Sequence, residues 1–187
     1  MKLMVILGSS RQGRKGEVVA KWVANRVEAD ERFELDYVDL RELNLPFFDE
    51  PLSPFSMARE GRPYTYPEGK AWAERVAAAG AFIMVTPEYN HGYPGVLKNA
   101  LDWVGPEWGG KAVDFVSYSW TTVGGARAVE QLRQVVLELG LIPGGVGLHI
   151  GRQADSFDEN GQPKEDYMDP ALQRIFEELS KLSRLRN

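Results

Sequence analysis

Residues 81–104 read AFIMVTPEYNHGYPGVLKNALDWV. Ala81 to Val85 is an unbroken apolar run, the pattern of a strand buried on both faces. Beyond the turn, Val96, Ala100 and Trp103, with Leu97, Leu101 and Val104, recur at helical spacing. Between the two lie Pro87, Glu88, Tyr89, Asn90, His91, Gly92, Tyr93, Pro94 and Gly95. A strand fully buried on both sides needs helices on both sides, so this one unit already argues for a parallel α/β sheet.

The rest of the chain repeats the unit. Leu3 to Leu7 is a buried strand closed by Gly8, and Val18, Val19, Trp22, Val23 and Val27 mark a first helix to about Ala29. Phe33, Leu35, Tyr37 and Val38 form a second strand; Trp72, Val76 and Ala79 form a helix ending near Gly80. Val113 to Val116 is a fourth strand, followed by a helix through Val129, Leu132, Val136 and Leu139. Leu141 to Leu148 is a broken fifth strand, interrupted by Pro143 and three glycines. Asp169 and Pro170 are expected as N-cap and first position of the last helix, which carries Leu172, Ile175, Phe176, Leu179 and Leu182. Alternating strands and helices imply a parallel sheet whose ligand sits at the carboxyl ends of the strands, where strand order reverses. Residues 1–187 are read as one domain.

One stretch breaks the alternation. Arg41 to Pro67 holds five prolines and five aromatic residues, Phe47, Phe48, Phe55, Tyr64 and Tyr66. Two readings stand: an excursion packed on its own surface, or a wall of an interface or substrate pocket.

Composition narrows the function. The net charge of -5 argues against a surface built for nucleic acid or anionic membrane, though it leaves room for a local cationic pocket. With no cysteine, disulfides, thiolate catalysis and cysteine-held metals are excluded, and the chain fits a reducing cytoplasm. The run after Lys2 is too short for a signal peptide, and no segment reaches the ~18 apolar residues that span a bilayer. Only His91 and His149 are present and there is no G-x-S-x-G elbow, so neither a histidine-rich metal site nor a serine elbow is expected.

GSSRQGRKGE, Gly8 to Glu17, joins the first strand to the first helix, a corner suited to anions. Gly8 and Gly13 have the spacing of the triphosphate loop G-x-x-x-x-G-K-[ST], but Arg14 replaces its lysine and Lys15 its magnesium-binding hydroxyl. The dinucleotide pattern G-x-G-x-x-G is absent as well. Ser9, Ser10, Arg11 and Arg14 therefore suit a monophosphate. In the loop after the third strand, a rigid backbone, Tyr89 and Asn90 suit the edge and face of a flat heterocycle. A phosphate at one end and a ring at the other describe FMN. Blander roles stand beside these: Glu88 can cap its turn, His91 can be a solvated loop residue, and Lys98 with Asp102 forms a surface pair.

GSSRQGR, PEYNHGYPGVLKNALDW and GGARAVEQLR, in this order and spacing, resemble the NADPH-dependent FMN reductase family, whose members include flavin, quinone, azo-dye and chromate reductases. The resemblance implies a flavodoxin-like three-layer sandwich with a five-stranded parallel sheet of order 2-1-3-4-5. It implies that Ser9, Arg11, Gln12, Arg14, Gly16, Glu17 and Val18 bind the FMN phosphate, and that the ring lies over Pro87, Glu88, Tyr89 and Asn90. Ser119 and Trp120, from the loop after the fourth strand, complete the cofactor set. That loop, SYSWTTVGG, differs from the shorter, glycine-rich turn usual in such proteins. The implied chemistry is ping-pong hydride transfer from NADPH or NADH to FMN and on to a quinone, flavin or other small acceptor, with no side chain assigned as catalytic. A homodimer, or a tetramer, follows from the same resemblance. The rivals are a flavodoxin-type one-electron carrier, disfavoured by the arginines in the phosphate loop, and a non-catalytic FMN-binding regulatory module.

Overall fold

The computed structural model describes residues 1–185. In chain order the elements are β1 (Lys2–Leu7), α1 (Gly16–Glu28), β2 (Glu34–Asp39), α2 (Leu40–Leu43), α3 (Pro54–Glu60), α4 (Pro67–Ala78), β3 (Ala81–Pro87), α5 (Gly95–Asp102), β4 (Ala112–Tyr118), α6 (Ala126–Glu138), β5 (Ile142–Pro143), β6 (Leu148–Ile150) and α7 (Met168–Arg184). The sheet is parallel with the order β2-β1-β3-β4-β5, and β6 also pairs with β4. This is the flavodoxin-like 2-1-3-4-5 order, whose reversal lies between β1 and β3.

Alternation along each strand sends side chains to opposite faces. Leu3, Val5, Leu7, Ile83 and Val85 pack against α1 and α7, together with Trp22 and Phe176. Met4, Ile6, Phe82, Met84 and Phe115 face the other way, toward Trp72, Trp103 and Trp108. The two cores, one per face, explain why these strands read as unbroken apolar runs.

The fifth strand is broken, as expected, into two short pieces; the 144–147 loop between them turns its amides inward, where Gly145 and Val146 donate to Glu178, and Gly147 to Asp114 Oδ1 at 3.2 Å. The last helix begins at Met168, so Asp169 is not its cap. Instead the Asp169 carboxylate accepts from Arg26 Nε (2.8 Å) and Trp22 Nε1 (3.0 Å), tying α7 to α1. Residues 41–67 contain α2's end and all of α3, and they pack on their own chain, the first of the two readings of this stretch. Pro46 O accepts from Trp103 Nε1 and Asn99 Nδ2, Tyr64 donates to Trp103 O, and the buried Glu50 carboxylate accepts from the Thr65 amide. Phe47 stays outside this packing, 84% exposed.

Candidate functional site

A cavity of about 440 Å³ opens at the carboxyl ends of β1, β3 and β4. β3 and β4 end together at the paired Pro87 and Tyr118, and β1 ends two residues earlier, at Leu7 opposite Val85, so the loop after β1 opens beside the other two strand ends. Arg11, Gly13, Arg14 and Lys15 line one end; Pro87, Glu88, Tyr89 and Asn90 line another; Tyr118, Ser119, Trp120 and Gln153 close it. The cationic loop and the aromatic loop, singled out separately in the sequence, thus face one space.

The first loop is fastened to its neighbours. The Gly8 amide donates to Val85 O at 2.9 Å, and a Cβ at Gly8 would stand 3.2 Å from that oxygen. Ser9 is fully buried, with its Oγ 2.8 Å from the Tyr89 hydroxyl, which links the two loops. Arg14 is buried too, and its guanidinium forms a two-pronged contact with Asp39 at the end of β2. It also donates to Glu17 Oε1 at 3.0 Å and to the Ser9 carbonyl. These bonds take up four of its five N–H groups, so Arg14 bolts the loop to the sheet. Burial opposes its charge, and the hydrogen bonds to Asp39 and Glu17 outweigh that cost, so its pKa is raised. The exposed cations at this end are Arg11 and Lys15. Helix α1 starts after Lys15 with no capping side chain, which leaves its first amides to other partners.

In the third-strand loop the left-handed residues are Asn90 (φ 52°) and His91 (φ 67°), not a glycine. Tyr89 and Gly92 exchange backbone hydrogen bonds of 2.8 and 3.0 Å across them, the pattern of a hairpin turn with two positive φ angles. Asn tolerates this conformation; His does so at a cost, which surrounding contacts must offset. They come from α6: Arg127 Nη1 donates to His91 Nε2 at 2.8 Å, and Gln131 Nε2 donates to His91 O at 2.8 Å. Arg127 Nη2 also lies 2.5 Å from Glu88 Oε1, and the Glu88 side chain is only 5% exposed. Glu88 is therefore held from the side, and its Oε2 is buried without a hydrogen bond.

Of the sequence candidates, Arg11, Arg14, Pro87, Glu88, Tyr89, Asn90, Ser119 and Trp120 line the cavity. Ser9 lies behind them through Tyr89. Gly16 is the first residue of α1, where a Cβ would stand 2.0 Å from the Tyr118 hydroxyl. Gln12 is exposed on the loop, while Glu17 and Val18 line a second, polar groove of about 580 Å³ on the outer side of Arg14 and Lys15. Tyr118, Gln153 and Arg127 were not singled out from the sequence; Lys15 was, as the residue that replaces the magnesium-binding hydroxyl. Tyr118 reads as the last residue of a buried strand, and nothing in its spacing says that its hydroxyl turns toward the first loop.

Among the described residues no cluster of three or more His, Cys, Asp or Glu side chains can hold a metal, and no helix is long and apolar enough to cross a membrane. The cavity suits an anionic, flat cofactor: cations and uncapped helix amides at one end, Pro87, Tyr89 and Trp120 at the other.

A family model described as NADPH-dependent FMN reductase matches residues 1–155. An NAD(P)H-dependent FMN reductase of Schizosaccharomyces pombe is 40% identical over 134 residues, covering 72% of this chain and 64%, just under two thirds, of that protein. A quinone reductase of Escherichia coli is 32% identical over 74% of this chain and 71% of its own length. Among solved structures, the flavoenzyme NAD(P)H:(acceptor) oxidoreductase FerB of Paracoccus denitrificans superposes with a TM-score of 0.77 at 22% identity, over 99% of this chain and 98% of that one, a likeness of fold.

Proposed function

Because the chain belongs to the NADPH-dependent FMN reductase family, we propose that it is an NAD(P)H-dependent oxidoreductase that holds FMN in the cavity at the ends of β1, β3 and β4. The observation that carries this reading is one space shared by the cationic loop 11–15 and the rigid loop 87–90. FMN bound there would supply the redox chemistry, a ping-pong hydride transfer from NAD(P)H to a small acceptor of the quinone or flavin class.

The chain's own residues bind, orient and exclude. Arg11 and Lys15 neutralise the phosphate at the open amides of α1. Arg14 fixes the loop that carries them, by way of Asp39. The left-handed turn at Asn90–His91, held by Arg127 and Gln131, presents fixed backbone groups to the ring edge. Tyr89 and Trp120, which line the cavity, would shield a bound ring from water. No side chain is needed to transfer a proton at the reacting atoms, and none is assigned that role.

Two further readings belong with this one. The exposed Phe47 and Phe55 (46%) support a homodimer, which sedimentation velocity tests. The absence of cysteine supports a reducing, cytoplasmic setting. The activity itself is tested by steady-state oxidation of NADPH and NADH with a benzoquinone acceptor, which a carrier or a regulatory module would not sustain.

A further inference from the structure

We propose that the Tyr118 hydroxyl is a phosphate-binding donor of the FMN site, a role that rests on the FMN reading above. Tyr118 ends β4, is 5% exposed and forms part of the cavity wall. Its hydroxyl is buried and makes no hydrogen bond in the structure. Ser9 lies beside it without hydrogen-bond geometry and has its own Oγ engaged by Tyr89 at 2.8 Å. A buried hydroxyl left unpaired is costly, so a chain that keeps one at a cavity wall points to a partner from outside.

The place of the hydroxyl says which part of the ligand it meets. It sits over the first residue of α1, since a Cβ at Gly16 would come within 2.0 Å of the oxygen and 2.6 Å of Cζ. Glycine at position 16 is what lets the phenol reach this corner. The corner is also where α1, a 13-residue helix without a side-chain cap, offers its first amides. Arg14, the residue that would otherwise serve there, is committed to Asp39, Glu17 and the Ser9 carbonyl. Burial raises the Tyr118 pKa, so the group keeps its proton and donates at neutral pH.

Tyr118→Phe removes the oxygen and keeps the ring that packs in the core. Dissociation constants for FMN and for riboflavin, which lacks the phosphate, are read by quenching of flavin fluorescence, alongside the melting temperature of the flavin-free protein. The expected result is FMN affinity lowered about tenfold or more, the usual worth of a hydrogen bond to a charged group, with riboflavin affinity unchanged. The flavin-free melting temperature should stay level or rise, because an unpaired buried hydroxyl has been removed. Unchanged FMN affinity, an equal loss for both flavins, or a lower flavin-free melting temperature would each overturn the assignment. A wild-type protein that binds neither flavin would instead overturn the FMN reading itself.

Discussion

Arg127 on α6 sets its Nη2 2.5 Å from Glu88 Oε1, and its Nη1 donates to His91 Nε2 at 2.8 Å, so one guanidinium holds both flanks of the Asn90 turn. The pairing matters because the turn is strained: neither Asn90 nor His91 is a glycine, yet both adopt left-handed angles. Removing the clamp strands a buried carboxylate as well as releasing the turn. Arg127→Ala is expected to cost roughly 1–3 kcal/mol in chemical denaturation, moderated by the 40% exposure of the Arg127 side chain. Flavin affinity should fall with it, and Glu88→Gln should cost less, since the charge it leaves unpaired, on Arg127, is 40% exposed to water rather than buried.

Arg11 and Arg14 are expected to separate into two kinds of residue. Arg11→Ala should lower FMN affinity by about 1.5–3 kcal/mol while leaving flavin-free stability unchanged, as Arg11 is exposed. Arg14→Ala should lower the melting temperature of the flavin-free protein, because it unties the first loop from Asp39 and the Ser9 carbonyl. Fluorescence titration and thermal melts on the same pair of variants check both statements.

Asp114 is expected to make stability depend on pH. It is fully buried in β4, and burial, with Glu178 nearby, raises its pKa to about 6. A folded value above the unfolded one means that the native state binds the proton more tightly. Asp114's own contribution to stability is therefore fully present below about pH 3.8 and is lost as the pH rises through about 6. Asp114→Asn keeps an oxygen for the Phe115 and Gly147 amides and turns an N–H₂ toward the position of the unpaired Oδ2. It should raise neutral-pH stability by roughly 1–3 kcal/mol and flatten the profile between pH 4 and 7 in denaturant titrations.

Gly16→Ala is expected to lower both melting temperature and flavin affinity, by an overpacking cost of roughly 1–3 kcal/mol, because the new methyl would overlap the Tyr118 phenol. Combining it with Tyr118→Phe, which removes the atom 2.0 Å from the new methyl and keeps the ring that packs in the core, should recover part of the melting temperature. A double variant no more stable than Gly16→Ala alone would show that another contact makes glycine necessary.

Much of this was legible along the chain. The parallel α/β class followed from apolar runs such as Ala81–Val85, because a strand buried on both faces has few ways to be covered, whereas the strand order came only from the family resemblance. The two loops of the cavity were legible for a local reason: each follows such a run and opens a helix. What was not legible is nonlocal. Asp169 looks like a cap in sequence, but Arg26 and Trp22, 143 and 147 residues away, take its carboxylate. Arg14 looks like a free cation until Asp39 arrives from the neighbouring strand. The proline-rich stretch gave no period to read, because its order comes from single hydrogen bonds to Asn99 and Trp103 rather than from a repeating face.

The most direct measurement is a visible spectrum of the protein, incubated with FMN and desalted, recorded before and after anaerobic addition of NADPH or NADH. Retained flavin absorbance that bleaches with either nucleotide and returns on adding a quinone is the expected result. A colourless protein, or bound flavin that neither nucleotide bleaches, would contradict the proposed function.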